Sequence, residues 1–150
     1  MRVLRTRKPG AGDRRGAAMV ETALVLPIFF MVVLGVIEFG RAMMVAQLLT
    51  NGAREGARAA VLPGATNTSV QQVVTDFVSA SVGVPANKLT VTITVTAATG
   101  NPNPANNVAN ALKRDLCDIK VSVKFSDVDY IPGKYLANSN LAGQCAMRKE

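Results

Sequence analysis

The strongest pattern along the chain is one long apolar stretch near its beginning, residues 17–37. Only one of these 21 residues, Glu21, is charged. A helix rises about 1.5 Å per residue, so this stretch would extend roughly 30 Å, the thickness of the hydrocarbon core of a bilayer. The pattern therefore predicts a transmembrane helix over residues 17–37.

Past this span, polar and apolar positions separate at helical spacing. The polar positions that share one face are Gln47, Asn51, Arg54, Glu55 and Arg58. The small and apolar positions of the other face are Val45, Leu48, Leu49, Gly52, Ala53, Gly56 and Ala60. Glu55 and Arg58 are three residues apart and are expected to form an ion pair. Because Pro63 and Gly64 end a helix, we expect one helix from residue 17 to about residue 61, its second half outside the membrane.

Two glycines, Gly52 and Gly56, lie one helical turn apart on the apolar face. A glycine in an exposed helix interior costs about 1 kcal/mol relative to alanine, whereas small residues let another backbone approach closely. The pair therefore predicts a close packing partner. That partner is either the protein's own folded domain or another subunit.

The remaining residues, 63–150, begin with a pattern that predicts a second helix. Ser69 followed by Gln72 fits a capping box, and apolar residues continue from there at helical spacing. We expect this helix to begin at Ser69 and to end near Ser81, before Gly83.

Strict alternation of apolar and polar residues over 89–96 and 119–126 predicts two strands, each with one apolar face. A shorter strand at about 143–148 would complete an antiparallel sheet of roughly three strands. The second helix and the first part of the long helix would cover the apolar face of this sheet. The Asn- and Pro-rich residues 100–107 are expected to form a turn or a mobile loop.

The predicted fold class is therefore α+β. A long N-terminal helix, transmembrane over 17–37 and extracytoplasmic over 38–61, precedes a small domain in which one helix packs on the sheet. The chain would divide into a basic cytoplasmic leader (1–16), the long helix (17–62) and a small extracytoplasmic α+β domain (63–150).

The positive charge of the chain supports this orientation. Residues 1–16 hold six of the 17 Lys and Arg residues and one of the ten Asp and Glu residues, and they supply most of the net charge of +7. Basic residues ahead of an apolar span keep that end in the cytoplasm, so the small domain should lie outside. The other basic residues are scattered, which does not predict a nucleic-acid-binding surface.

Residues that carry out catalysis are missing from the sequence. The chain has no histidine, the commonest general base and metal ligand. It has no P-loop and no nucleophile elbow, and its two cysteines do not complete a zinc site without further ligands. The sequence therefore predicts no enzyme, no cofactor and no metal site.

The two cysteines both fall on predicted strands. Cys117 has the parity of Ile119 and should face inward, and Cys145 has the parity of Met147. If these strands are neighbours outside the membrane, a disulfide between Cys117 and Cys145 is expected. It would stabilise the domain by about 3–4 kcal/mol. Two buried free thiols are the alternative.

The basic leader and the apolar span are open to three interpretations. A cleaved secretory signal peptide is one, but no A-x-A-like site follows the apolar run. An uncleaved signal anchor is the second. Cleavage ahead of the apolar run is the third.

The residues around Gly16 favour the third interpretation. Gly16, followed by Ala17 and then by Glu21, with an apolar run that contains Pro27, is similar to the processing site of type IV pilins and pseudopilins.

Three further segments make the resemblance more specific. Residues 35–41 read GVIEFGR, residues 51–60 read NGAREGARAA, and residues 145–150 read CAMRKE. Together they resemble TadE-like pseudopilins, which are minor pilins of the tight-adherence (Tad) pilus system.

This resemblance implies a structural subunit in the assembly of an adhesive pilus. A prepilin peptidase would cut after Gly16, Ala17 would become the new N-terminus, and Glu21 would pair with the terminal amine of a neighbouring subunit. An ammonium and a carboxylate are each costly in lipid, and pairing lowers both costs. The alternative for Glu21 is that its side chain reaches the cytoplasmic headgroups.

The resemblance also implies partners. These would be the lipid membrane, the prepilin peptidase, the pilus assembly machinery, and other pilins that contact the long helix. The helix residues expected to take part in assembly are Glu21, Gly52, Gly56, Arg54, Glu55 and Arg58. The protein would reside in the plasma membrane and enter the extracellular pilus. A single-pass sensor or binding module, with no processing and no polymer, is the rival interpretation.

Overall fold

A computed structural model describes residues 11–128, 135–136 and 138–150, with the side chains of residues 11–15 left aside. In chain order it contains helices α1 (Ala11–Val61) and α2 (Asn67–Val82) and strands β1 (Thr90–Thr96), β2 (Leu116–Lys124) and β3 (Asn140–Arg148). The strands form one antiparallel sheet in the order β1-β2-β3. The α+β prediction is confirmed. The chain divides into two compact units between Ile37 and Glu38.

The first unit contains the apolar part of α1. The helix from Gly16 onward has a mean hydropathy of 2.5 over its most apolar window, and none of that window is buried. Between Gly16 and Ile37 every side chain is exposed except Val33 and Gly35, which are half-buried. This segment is long and apolar enough to cross a membrane once.

In the second unit, α1 has one buried and one exposed face, as its periodicity predicts. The fully buried positions include Val45, Leu49, Ala53, Ala57 and Ala60. The five predicted polar positions, Gln47, Asn51, Arg54, Glu55 and Arg58, are all exposed, and we call them the polar stripe. The expected ion pair between Glu55 and Arg58 is not formed. A different ion pair is found within the described part of the chain, where Lys88 Nζ lies 3.1 Å from Asp127 Oδ1.

Helix α2 begins at Asn67, two residues before the predicted start. Its N-cap is Thr66, whose Oγ1 accepts a hydrogen bond from Ser69 N at 3.2 Å. Ser69 Oγ in turn accepts one from Thr66 N at 3.0 Å. Ser69 is therefore the second member of the capping box and not the cap itself. The helix ends before Gly83, whose φ of +80° suits glycine in a left-handed C-cap.

The sheet differs from the prediction at the ends of its strands. β2 starts at Leu116, ahead of the predicted residue 119, and it stops at Lys124 because residues 125–127 turn into a short 3-10 helix. β3 starts at Asn140, three residues before the predicted start. The predicted alternation holds along β1 and β2, where inward positions are buried or half-buried.

Close approaches at three glycines pack the outer half of α1 onto α2 and the sheet. A Cβ atom at Gly52 would lie 2.6 Å from Val78 of α2, and one at Gly56 would collide with Val74 and lie 3.2 Å from Ile119 of β2. Gly143 of β3 lies against the backbone of α1 at Leu49 and Thr50. The covering part of the long helix is thus its outer half, not its beginning.

These contacts also answer which partner Gly52 and Gly56 approach. Both glycines are buried against the protein's own α2, and Gly56 also approaches the sheet. They are core residues of this domain. Neither glycine therefore has an exposed surface for the expected contact with another subunit.

The direction of β2 relative to α1 sets which connection lies near Glu38. Gly143, which pairs with Val121, lies against Thr50, whereas Ile119 lies against Gly56. Positions later in β2 therefore approach earlier positions of α1, and the two elements run antiparallel. As a result, the end of β2 and the start of β3 lie at the Glu38 end of the domain, and the β1–β2 connection lies at the opposite end.

Candidate functional site

Two charged side chains of α1 hold the β2–β3 connection. Glu38 is only 7% exposed, and its Oε1 accepts a hydrogen bond from the backbone N–H of Leu136 at 2.7 Å. Arg41 Nε donates to the carbonyl oxygen of Val128 at 3.2 Å. We call these four residues the loop anchor. A buried carboxylate is costly unless it is hydrogen-bonded, and the Leu136 amide provides such a bond.

Helical spacing explains how Glu38 comes to be buried. It lies four residues before Ala42 and seven before Val45, on the face of α1 that packs into the core. Sequence reasoning used the segment 35–41 only to support the family resemblance and assigned no role to Glu38 or Arg41. A charged residue in line with the apolar face was the available signal.

At the opposite end of the domain, Asp115 holds the β1–β2 connection. Its side chain is fully buried. Oδ1 accepts hydrogen bonds from Ala98 N at 2.8 Å and Asn101 Nδ2 at 2.6 Å, and Oδ2 accepts one from Leu112 N at 2.7 Å. These hydrogen bonds, the one from Ala98 above all, lower the pKa of Asp115. Nothing in the sequence pattern marked this residue.

Side-chain amides hold the predicted loop 100–107. Asn67, the first residue of α2, donates to the carbonyl of Asn106 at 2.9 Å and accepts from Val108 N at 2.8 Å. Asn106 Oδ1 accepts from Val95 N, at 3.2 Å, on β1. The loop is thereby tied to both a helix and a strand.

The expected disulfide is not supported, because Cys117 and Cys145 are both free thiols in this structure. The strands are neighbours, but the register places Cys117 opposite Met147 and Cys145 opposite Ile119. Diagonal positions in a sheet lie about 7–8 Å apart, beyond the usual Cα separation of about 4.4–6.8 Å across a disulfide. Burial raises the pKa of the Cys117 thiol, which keeps it protonated and unreactive.

The predicted processing residues lie on one exposed part of α1. Gly16, Ala17 and Glu21 are all exposed, and a Cβ atom at Gly16 would meet nothing within 4 Å. The side chain of Glu21 makes no hydrogen bond or ion pair with the described residues. Within those residues, no three metal-ligating side chains come together.

The same helix carries the polar stripe at its outer end. The side chains of Arg54, Glu55 and Arg58 are exposed, and they make no hydrogen bond or ion pair with the described residues. Two cations and one anion therefore face outward, on a helix whose other face is fixed in the core.

Residues 16–58 match the family model for TadE-like protein. The segment is TadE-like. This match confirms the resemblance drawn from the sequence over residues 16–58, whereas the similar segment at residues 145–150 lies outside the match. No curated protein and no solved structure matches the chain.

The TadE-like segment starts at the predicted processing glycine, Gly16, and ends at Arg58, the last member of the polar stripe. It includes the candidate membrane span and both charged residues of the loop anchor. It excludes α2 and the sheet, so the part of the domain that covers α1 lies outside the matched residues.

Proposed function

We propose that this protein is a pseudopilin, or minor pilin, that serves as a structural subunit in the assembly of an adhesive Tad-type pilus. The observation that carries the proposal is the TadE-like match over residues 16–58, which coincides with an exposed apolar helix and its amphipathic continuation.

The exposed first part of α1 supports membrane insertion before assembly. An apolar surface of this extent is not stable in water, and lipid or neighbouring helices would cover it. The basic leader sets the orientation, with the N-terminus in the cytoplasm and the small domain outside. Lipid would cover the helix in the precursor, and the helices of other pilins would cover it in the fibre.

Processing would follow at the start of the TadE-like segment. Gly16 offers an unhindered backbone to a prepilin peptidase, since nothing lies near its missing side chain. The cut creates an ammonium group at Ala17, and Glu21 in an adjoining subunit would neutralise it.

The polar stripe would supply contacts outside the membrane. Because Arg54, Glu55 and Arg58 have no ionic partner among the described residues, they would be available to oppositely charged groups of neighbouring subunits or of the assembly machinery. Gly52 and Gly56 would not contact a second copy, because both are buried in the protein's own core.

The N-terminus of the protein in native membranes tests the processing step. Mass measurement of the purified chain, from strains with and without the prepilin peptidase, should show loss of residues 1–16 only when the peptidase is present. Gly16→Val should block trimming. Gly35→Val, at another helical glycine with nothing within 4 Å, is the matched control and should be trimmed normally. A chain that keeps its leader in both strains would contradict the pilin proposal and favour the membrane-bound binding module.

A further inference from the structure

Strand β1 lies at one edge of the sheet, and its sequence is unusual for an edge strand. It reads TVTITVT, with no charge, no proline and no glycine. Natural proteins protect edge strands from pairing with other chains by placing lysine, proline or a bulge there. β1 has none of these, and a short, uncharged, β-branched sequence is typical of segments that pair with copies of themselves.

One hydrogen bond shows which backbone groups of β1 face away from β2. Val95 N–H donates to Asn106 Oδ1 at 3.2 Å, so it is not donated to β2. In an antiparallel pair, alternate residues direct both their N–H and their C=O to the neighbouring strand. Val91 and Ile93 alternate in step with Val95, and the register with β2 is unbroken along the whole strand. Their backbone groups therefore face the free edge, where they form no hydrogen bond with a described residue.

A loop residue closes one end of this edge. The side-chain oxygen of Asn106 binds Val95, and its backbone carbonyl accepts a hydrogen bond from Asn67 Nδ2 of α2 at 2.9 Å. Asn67 Oδ1 also accepts from Val108 N at 2.8 Å, which holds the loop on the far side of Asn106. We call Val95, Asn106 and Asn67 the edge latch.

The loop has an uncommon backbone conformation at this contact. Ala105 and Asn106 have φ values of +53° and +57°, in the left-handed region. Asparagine tolerates this region, but alanine rarely adopts it, so other interactions must hold Ala105 there. The edge latch and a hydrogen bond from Ala105 N to Asn103 Oδ1, at 2.9 Å, do so. The Asn106 side chain thus reaches the free edge through a conformation that costs energy.

The sequence of β1 is the same in both directions about Ile93. Two copies paired antiparallel about this residue would place Ile93 opposite Ile93, Val91 opposite Val95, and threonine opposite threonine. Such a two-fold contact is self-complementary, and pairs of β-branched residues across strands are favourable. It requires the Val95 N–H of each copy, which Asn106 occupies.

We infer that the free edge of β1 is a surface for antiparallel pairing with β1 of a second copy, and that the edge latch keeps this surface closed. Paired strands lie about 4.7–4.9 Å apart, and Asn106 Oδ1 lies within that space, 3.2 Å from Val95 N. Contacts between copies are thereby left to other surfaces, including the exposed face of α1. The inference concerns the folded domain alone and requires neither processing at Gly16 nor assembly of a pilus.

Amide hydrogen exchange of the full-length protein in detergent, resolved by residue with NMR, tests both parts. In the wild type, the Val95 amide should exchange slowly and the amides of Val91 and Ile93 quickly, because Val95 has an acceptor and the other two face the free edge. Asn106→Gly removes the acceptor and keeps a residue that adopts positive φ without strain.

In dilute Asn106→Gly, the Val95 amide should exchange about tenfold faster than in the wild type. As the protein concentration rises, Val91 and Ile93 should become protected by about tenfold or more, and dilution should reverse this protection.

Three further variants serve as controls. Asn106→Asp keeps a side-chain oxygen and should behave as the wild type does. Asn103→Gly makes the same substitution in the same loop, at a residue whose oxygen binds Ala105 N and not β1, and should leave the amides of β1 unchanged. An effect there equal to that of Asn106→Gly would refute the latch. Asn67→Ala frees Asn106 from α2 and should give a weaker form of the same change, which provides the test if the glycine variant does not fold.

Unchanged exchange at Val95 in both Asn106→Gly and Asn67→Ala would overturn the latch. Faster exchange at Val95, with Val91 and Ile93 unprotected at every concentration, would overturn the pairing between copies. Protection of these two amides in the wild type would overturn the closing role of Asn106.

Discussion

Gly143 of β3 packs directly on the backbone of Thr50 of α1, without a side chain between strand and helix. Any Cβ atom at this position would collide with main-chain atoms, which cannot rotate away as a flexible side chain can. This contact sets the spacing between the long helix and the sheet.

Gly143→Ala should therefore destabilise the folded domain. Overpacking a core costs about 1–3 kcal/mol, and more where the obstacle is backbone. Thermal unfolding in detergent, followed by circular dichroism, measures the change. Gly40→Ala is the matched control, because Gly40 is exposed on α1 with nothing within 4 Å, and there alanine should be neutral or slightly stabilising. Equal stability of the two variants would contradict the close packing.

Glu38→Ala should release the β2–β3 connection from α1. A buried N–H that loses its acceptor costs about 1–3 kcal/mol, so amide exchange at Leu136 should accelerate by about tenfold to a hundredfold. Hydrogen–deuterium exchange resolves this amide. Glu38→Gln keeps an acceptor oxygen and should change exchange less, and Glu55→Ala, at an exposed carboxylate, should not change it. Unaltered exchange in Glu38→Ala would argue against the loop anchor.

The lowered pKa of Asp115 predicts a pH-dependent stability. Its folded pKa lies below the unfolded value of about 3.9, so its stabilisation is complete above that pH and is lost as the pH falls through the folded pKa. Asp115→Asn should destabilise the domain at neutral pH. The difference in free energy of unfolding between this variant and the wild type should become smaller in acid. Unfolding measured from neutral to acidic pH tests this. Asp76→Asn, at an exposed carboxylate of α2, is the control and should change the stability at neutral pH by no more than about 0.5 kcal/mol.

Glu21→Ala should separate processing from assembly. Trimming after Gly16 should continue, since the peptide bond is unchanged. Incorporation into pili should fall by about tenfold or more, because an unpaired charge in the bilayer costs on the order of 2.5–3.5 kcal/mol. Quantitative immunoblotting of sheared pili and membranes gives both quantities. Wild-type levels in the pilus fraction would refute the pairing role.

Arg58→Ala, alone and combined with Arg54→Ala, tests the polar stripe. Both side chains are exposed, so the stability of the domain should change by no more than about 0.5 kcal/mol. Recovery of the protein with pilus components after crosslinking should nevertheless fall, and more in the double variant. Lys120→Ala, on the exposed face of the sheet, is the control. Equal recovery of all variants would exclude a contact through the stripe.

Periodicity alone predicted most of the fold. The faces of α1 and the inward parity of the strands follow from spacings of 3.6 and 2, which persist over many residues. The ends of helices and strands were harder to predict, because each end depends on single interactions. Thr66 became the cap of α2 because the hydroxyl of Ser69 reaches back to it, which the Ser69–Gln72 pattern concealed.

The partners of side chains across the sheet were harder still to predict from the sequence. Alternation along a strand decides which face of the sheet Cys117 and Cys145 occupy. The register decides which residue lies opposite each of them, so two residues on the same face can still belong to different pairs. Glu38 and Asp115 were missed for a related reason. Their partners are backbone N–H groups of distant connections, whose positions no local pattern encodes.

The contact of Gly143 with Thr50 also bears on the order in which the protein matures. The ribosome makes α1 early, but β3, which packs on its outer half, is made only after α2 and the other two strands. Until then the part of α1 around Leu49 lacks its contact with this strand. A truncated product that ends before Asn140 would therefore expose apolar surface that chaperones and proteases recognise.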